Sequence, residues 1–217
     1  LGQTFVYPSF NNNGHNLRDF VPDGWTLLDS AFGDLNNDNR SDAVIVIQKQ
    51  DSVLLLNSDD DTVLTQPRML LILFKNSMAN NFYLKEKNNS FILRNDNPQR
   101  GDPFQEIKIE KGILKISFQL FYSSGSWYIT NSTYKFRFQN NQFYLIGADY
   151  SSFHRATHES QEYSYNFLSK KRSLVKETDD AKTKRIITWK NLELSKLKTL
   201  KTFVQPFSWN IEKEVLL

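Results

Sequence analysis

The sequence predicts a mainly β fold, an antiparallel sandwich or open barrel with one short C-terminal helix. Three observations carry this expectation. From residue 82 onward apolar and polar side chains alternate with a period of two, the spacing of a strand with one buried face. Asn and Gly pairs stand between the alternating runs, where tight hairpins need residues that tolerate positive φ. Two further runs, 44–47 and 69–74, are apolar throughout and strand-sized, as expected of strands buried on both faces.

In chain order, residues 1–24 are rich in Asn, Gly and Pro, with Asn11-Asn12-Asn13-Gly14 and Pro22-Asp23-Gly24, and read as loops and turns leading into Trp25. Ala43-Val44-Ile45-Val46-Ile47-Gln48 reads as one core strand and 69–74 as another. Phe82 and Leu84 begin a short segment expected to turn at Asn88-Asn89 into Phe91-Ile92-Leu93. Ile107 and Ile109 precede a turn at Lys111-Gly112, after which Leu114, Ile116, Phe118 and Leu120 alternate with Lys115, Ser117 and Gln119. Tyr134, Phe136 and Phe138 alternate with Lys135 and Arg137. Asn140-Asn141 then turns the chain into Phe143-Tyr144-Leu145-Ile146, the strongest hairpin signal in the sequence. Tyr163, Tyr165 and Phe167 continue the alternation, and a charged turn at Thr178-Asp179-Asp180 precedes a strand at Ile186-Ile187-Thr188-Trp189. The single helix is placed after Ser195 as N-cap, with Leu197, Leu200 and Val204 at i, i+3 and i+7, and Pro206 ending it. No repeat of solenoid or propeller period is present.

A chain of 217 residues with 39% hydrophobic content can bury one sizeable core, and 1–217 is read as a single β-rich domain. No run approaches the roughly 18 consecutive apolar residues of a membrane helix, so no membrane span is expected. The first residue is Leu1 rather than Met, which is read as a processed, mature form. With no cysteine, disulfides, thiolate metal sites and cysteine nucleophiles are excluded. The net charge of +3 conceals a gradient: residues 1–62 hold ten acids against three bases, and residues 166–217 twelve bases against six acids. The acidic front suits a divalent cation. The basic tail intersperses lysines with apolar residues, the pattern of a solvated surface, and no nucleic-acid partner is expected from it.

The most specific signal is the string Asp34-Leu35-Asn36-Asn37-Asp38-Asn39-Arg40-Ser41-Asp42. Oxygen-bearing side chains stand at positions 1, 3, 5 and 9 as Asp34, Asn36, Asp38 and Asp42, and the backbone carbonyl of Arg40 falls at position 7. Calcium takes six to eight oxygens, and odd-numbered spacing in a tightly wound loop turns alternate side chains toward one centre. Asp34, Asn36, Asp38, Arg40 and Asp42 are therefore the candidate ligands of a calcium ion. The string resembles the Asp-x-Asn-x-Asp-x-x-x-Asp loops of FG-GAP repeats and dockerin modules, and Phe32-Gly33 before it and the apolar strand after it fit the FG-GAP form. That resemblance covers about fifteen residues and implies an ion site in which Asp42 closes the coordination bidentately. Position 6 is Asn39 where an EF-hand has Gly, and position 12 is Ile45 where it has Glu, so a full EF-hand is ruled out. Three carboxylates imply an affinity of about 10⁻⁵ to 10⁻³ M, suited to extracellular calcium. The stretches Phe20-Val21-Pro22-Asp23-Gly24-Trp25, Gly101-Asp102-Pro103-Phe104 and Phe143-Tyr144-Leu145-Ile146-Gly147, with the loop, also resemble an uncharacterised group of bacterial cell-envelope proteins with a single calcium loop. This implies an exported β-rich protein and carries no activity.

Catalytic constellations are sparse. There is no phosphate-binding glycine loop and no Gly-x-Ser-x-Gly elbow, and Ser124-Gly125-Ser126 reads as a turn. His154 and His158 are four apart, but Arg155 stands where a zincin needs Glu, so a surface role is expected. Glu106 and Glu110 are the carboxylates best placed for glycoside hydrolysis, yet they alternate with Ile107 and Ile109 as a solvent face would. Trp127, Tyr128 and Tyr134 are the aromatics available to stack on sugars, with packing as the default. Two readings follow. The first is a non-catalytic, extracytoplasmic calcium-binding protein (periplasmic, secreted or cell-surface) with a binding or structural role, its further partner a glycan or another envelope protein. The second is a secreted glycan-active hydrolase with a structural calcium.

Overall fold

The computed structural model describes residues 5–57, 60–76, 78, 80–177, 186–212 and 215–217. The chain is mainly β, all its strand pairs are antiparallel, and its sheets do not close into a barrel. The first half supplies β1 (Asn13–Gly14), β2 (Trp25–Gly33), β3 (Asp42–Lys49), a separate hairpin of β4 (Val53–Leu56) and β5 (Thr62–Thr65), then β6 (Arg68–Lys75) and β7 (Phe82–Asn88). Apart from the hairpin these form a five-stranded sheet in the order β1-β7-β6-β3-β2. The second half is an unbroken meander of β8 (Phe104–Glu110), β9 (Ile113–Phe121), β10 (Tyr128–Gln139), β11 (Gln142–His154), β12 (Ser160–Asn166), β13 (Lys171–Glu177) and β14 (Ile186–Asn191). A small pair, β15 (Asn210–Glu212) and β16 (Val215–Leu216), ends the chain.

The main core lies between the two sheets. Val44, Val46, Leu70, Ile72 and Phe74 of the first meet Leu114, Ile116, Phe118, Tyr134, Phe136 and Leu145 of the second. Phe91 fills the centre, with its ring 5.2 Å from Phe136, 5.4 Å from Tyr134 and 5.6 Å from Phe203. Because side chains alternate across a strand, Ala43, Ile45 and Ile47 of β3 and Met69, Leu71 and Leu73 of β6 face the other way. There they build a second core under Phe20, Trp25 and Phe82, with Phe5, Tyr7 and Phe10 packed against it. Burial on both faces explains why these two strands are apolar throughout.

The leading segment is more ordered than a run of turns. Asn13–Gly14 pairs with β7, and a short 3-10 turn, Leu17–Phe20, is capped by Asn16 and Asp19. Where β2 and β8 meet at the edges of the two sheets, Asp29 Oδ2 accepts the Ile107 N–H at 2.8 Å. A Cβ on Gly33 would stand 2.5 Å from Ile109 Cγ2, so only glycine allows the strands this close.

Two expectations require correction. The C-terminal helix is not formed: among the described residues there is no α-helix, and residues 192–209 run through turns. Leu145 N–H donates to Lys198 O, and Leu200 N–H to Phe143 O, each at 2.9 Å, so the segment adds itself to β11 beyond the reach of β12. These pairings satisfy backbone groups that a short helix would leave open, and one or two turns of helix have little stability of their own. The turn at Asn88-Asn89 does not begin a hairpin, because β7 pairs with β6 and β1 and residues 91–93 are buried without strand structure. Asn88 Oδ1 instead accepts the N–H groups of Ser90 and Phe91. The turn at Thr178-Asp179-Asp180 lies outside the described residues.

Candidate metal centre

The loop 34–41 joins β2 to β3, and Gly33 and Asp42 form the last pair of that hairpin. Its winding comes from its own side chains. Asp34 Oδ1 accepts the N–H of Asn37 at 2.7 Å and of Asp38 at 3.2 Å, while its Oδ2 accepts that of Asn39 at 2.8 Å. Asn36 Oδ1 accepts from Asp38 N at 3.1 Å, and Asp38 Oδ1 from Arg40 N at 2.9 Å. Oxygen side chains at every second position thus fold back over the amides that follow them. Asn37 and Asn39 both take φ of 63°, a left-handed conformation that Asn tolerates, so Asn39 fills the place of an EF-hand glycine.

Leu35 is the one apolar residue of the loop, and it is buried in the main core, anchoring the loop by its second residue. Asp42 is fully buried. Its Oδ2 accepts the Leu35 N–H and its Oδ1 the Lys75 N–H, each at 2.9 Å, which ties the loop to the end of β6. Burial pushes the Asp42 carboxyl above the usual carboxylate range; the Lys75 and Leu35 N–H groups oppose this, and the charges of Asp38 and Asp34 push it further up. Tyr83 is raised as well, by burial and then by Asp42 and Asp38. The Asp42 shift places Asp34 and Asp38 within electrostatic reach of that carboxylate.

Among the described residues, however, no three His, Cys, Asp or Glu side chains converge to hold an ion between them. Asp34, Asn36, Asp38 and the Arg40 carbonyl belong to one wound turn, whereas Asp42 is turned toward Leu35 and Lys75. A carboxylate oxygen has two acceptor sites, so the N–H bonds leave room for a cation on the second. The donor set is all oxygen, which suits a hard cation. The Leu35 anchor and the Lys75 N–H were not anticipated from the sequence; Leu35 stood out only as the sole apolar position of the nine.

No family model matches the chain, and no curated protein or solved structure does so either. Local geometry therefore carries the functional argument.

The other candidates separate. His154 ends β11 and His158 sits in the following turn at φ 55°, so no helix aligns them; His154 Nδ1 lies 3.0 Å from Thr157 Oγ1, and the His158 ring stacks on Phe153. Glu106 is paired with Lys108 and Glu110 with Lys115, all on the surface. Ser124-Gly125-Ser126 is a turn, with Gly125 at φ 85°. Tyr134 is a core residue, while Trp127 and Tyr128 are exposed. Among the described residues no helix is long and apolar enough to cross a membrane.

Proposed function

We propose that the protein is an extracytoplasmic, non-catalytic binding or structural domain whose 34–42 loop takes up calcium, with Asp34, Asn36, Asp38, the Arg40 carbonyl and Asp42 as ligands. One observation carries the reading. Asp42 is a fully buried carboxylate, and the charged groups acting on it, Asp38 and Asp34, have its own sign. A divalent cation that draws Asp34 and Asp38 in toward Asp42 would relieve that repulsion and desolvation together, and fix the backbone where the chain enters the core strand β3. The FG-GAP resemblance supplies the same ligand order. A weak site of this kind suits compartments rich in calcium, which supports a location outside the cytoplasm. The non-catalytic role is supported by Glu106 and Glu110, which sit in surface ion pairs with lysines.

Thermal melting of wild type and Asp38→Ala in calcium, magnesium and chelator tests this. Calcium at about 100 times Kd should stabilise wild type by about 2.7 kcal/mol. Asp38→Ala should abolish that gain and leave the ion-free protein little changed, because the exposed loop loses one hydrogen-bond acceptor and one repelling charge together. Magnesium should substitute poorly, since it retains its waters and prefers a small octahedral shell. No calcium-dependent shift, with no calorimetric binding at millimolar calcium, would refute the proposal.

A further inference from the structure

The seven-stranded sheet is not covered along its whole inner face. Two clefts of about 330 and 380 Å³ open there, and none of the residues lining them comes from the five-stranded sheet. The first is lined by Tyr128, Thr130, Tyr150, Ser152, Gln161 and Tyr163. The second shares Thr130 and Tyr150 and is bounded by Asn210 of β15 and Leu216 of β16, so the two adjoin along those side chains.

The register orders these side chains. Thr130, Ser152 and Gln161 lie in one row across β10, β11 and β12. Tyr150 and Tyr163 form the next row, with rings 5.9 Å apart edge to face, and Tyr128, 50% exposed, lies one row to the other side. The Tyr163 hydroxyl donates to Gln161 Oε1 at 3.2 Å, which fixes the amide in the polar row. Hydroxyl and amide groups are thus flanked by aromatic rings, and neither cleft is lined by an acidic or basic side chain.

We infer that this groove binds a neutral oligosaccharide. Its lining carries no formal charge, and the cations nearest it are either paired, as Arg172 over the Tyr163 ring is with Glu212, or at its margin, as Lys176 opposite Gln161 is, so it favours neither a polyanion nor a cationic peptide. Strand addition is excluded, because β10, β11 and β12 are each paired on both sides and present no free edge. A wholly apolar ligand would strip water from Thr130, Ser152 and Gln161 without replacing its hydrogen bonds. A sugar chain matches both parts, its hydroxyls meeting the polar row and its C–H faces the tyrosine rings. The inference rests on the binding-domain reading above but does not depend on calcium.

The full-length chain, calcium-loaded and chelated, would be screened on an array of neutral and acidic glycans. Calorimetry would follow with hexasaccharides of glucose, xylose, mannose and N-acetylglucosamine, and with heparin as anionic control. Binding to at least one neutral glycan, unchanged by added salt, is expected. Tyr128→Ala and Gln161→Ala should each weaken it about tenfold, the scale of one lost aromatic or hydrogen-bonded contact. Trp189→Ala, on the opposite face of the sheet, should leave it unchanged. Neither Tyr128 nor Gln161 belongs to the core, so circular dichroism and melting should match wild type. Binding to heparin alone, no binding to any neutral glycan, or binding untouched by both groove variants overturns the inference. Calcium stabilisation without sugar binding overturns the groove and leaves the loop standing; sugar binding without a calcium response does the reverse.

Discussion

A carboxylate without exposed surface normally sits against a cation, whereas Asp42 sits against two backbone N–H groups and within reach of Asp38 and Asp34. Its folded pKa is raised above the unfolded value, so the stability it contributes is present at low pH and is lost as pH rises through the raised value. Calcium reverses the preference, because the ion favours the carboxylate. The calcium-induced rise in melting temperature should therefore be full near neutral pH and shrink as pH falls into the carboxylate range. Calorimetry in buffers of different ionisation enthalpy should detect proton release on calcium binding at about pH 5 and little at about pH 8. Binding without proton release at either pH would mean that Asp42 is already ionised in the ion-free protein, and the loss of calcium binding in Asp42→Asn would then decide its place among the ligands. Asp42→Asn should abolish the calcium response and lower stability in chelator by about 1–3 kcal/mol, since the amide turns a donor toward one of two buried N–H groups. Charge relief opposes that loss without cancelling it. The alternation of oxygen donors was legible in the sequence because it is local. The Lys75 contact was not, since Lys75 lies 33 positions further along the chain.

Among the elements, the two hairpin turns read from Lys111-Gly112 and Asn140-Asn141 are formed as expected. Both central residues have positive φ in each, at 51° and 73° in the first and 47° and 63° in the second. Turns of this type match the strand twist and require that conformation at both positions. Asn140→Ala should cost about 1 kcal/mol by urea unfolding, whereas Asn140→Gly should stay within about 0.5 kcal/mol of wild type. Elements specified by distant partners were not legible. The apolar spacing of Leu197, Leu200 and Val204 suggested a helix, yet Val204 is exposed and the backbone at 198–200 pairs with β11. Likewise 91–93 has strand composition but is held as irregular chain by a buried cation. Arg68 on β6 donates to Leu93 O and Gln48 Oε1, each at 2.8 Å, and its guanidinium is bidentate on Asp102. Arg68→Ala should cost about 3–5 kcal/mol, because it leaves buried acceptors unpaired and unties the crossover between the sheets. Asp102→Ala should cost clearly less, as that carboxylate is 45% exposed and water can replace it around the guanidinium edge.

For the whole molecule, the mainly β, antiparallel character and the meander of the second half were legible, because alternation and turn residues are read within a hairpin. The sheet order of the first half was not, since β1 joins β7 and β2 abuts β8 across long stretches of chain. That arrangement makes the five-stranded sheet a wall shared by two cores, one under the leading segment and one against the second sheet. Shared walls couple the melting of both sides, so 1–217 should unfold as one cooperative unit. Trp25, in the outer core, and Trp209, packed on Phe167 and Phe203 against the main core, provide the test. With the exposed Trp127 and Trp189 replaced by Phe, variants retaining only Trp25 or only Trp209 should melt at the same temperature and the same urea midpoint. Phe91→Ala should then lower both transitions together by about 3–5 kcal/mol, because its ring contacts the second sheet and the C-terminal segment at once and no neighbour can fill the space. If the mutation moved the Trp209 transition and left that of Trp25 in place, the two sheets would be separate folding units, and the calcium loop between β2 and β3 would stabilise only the first.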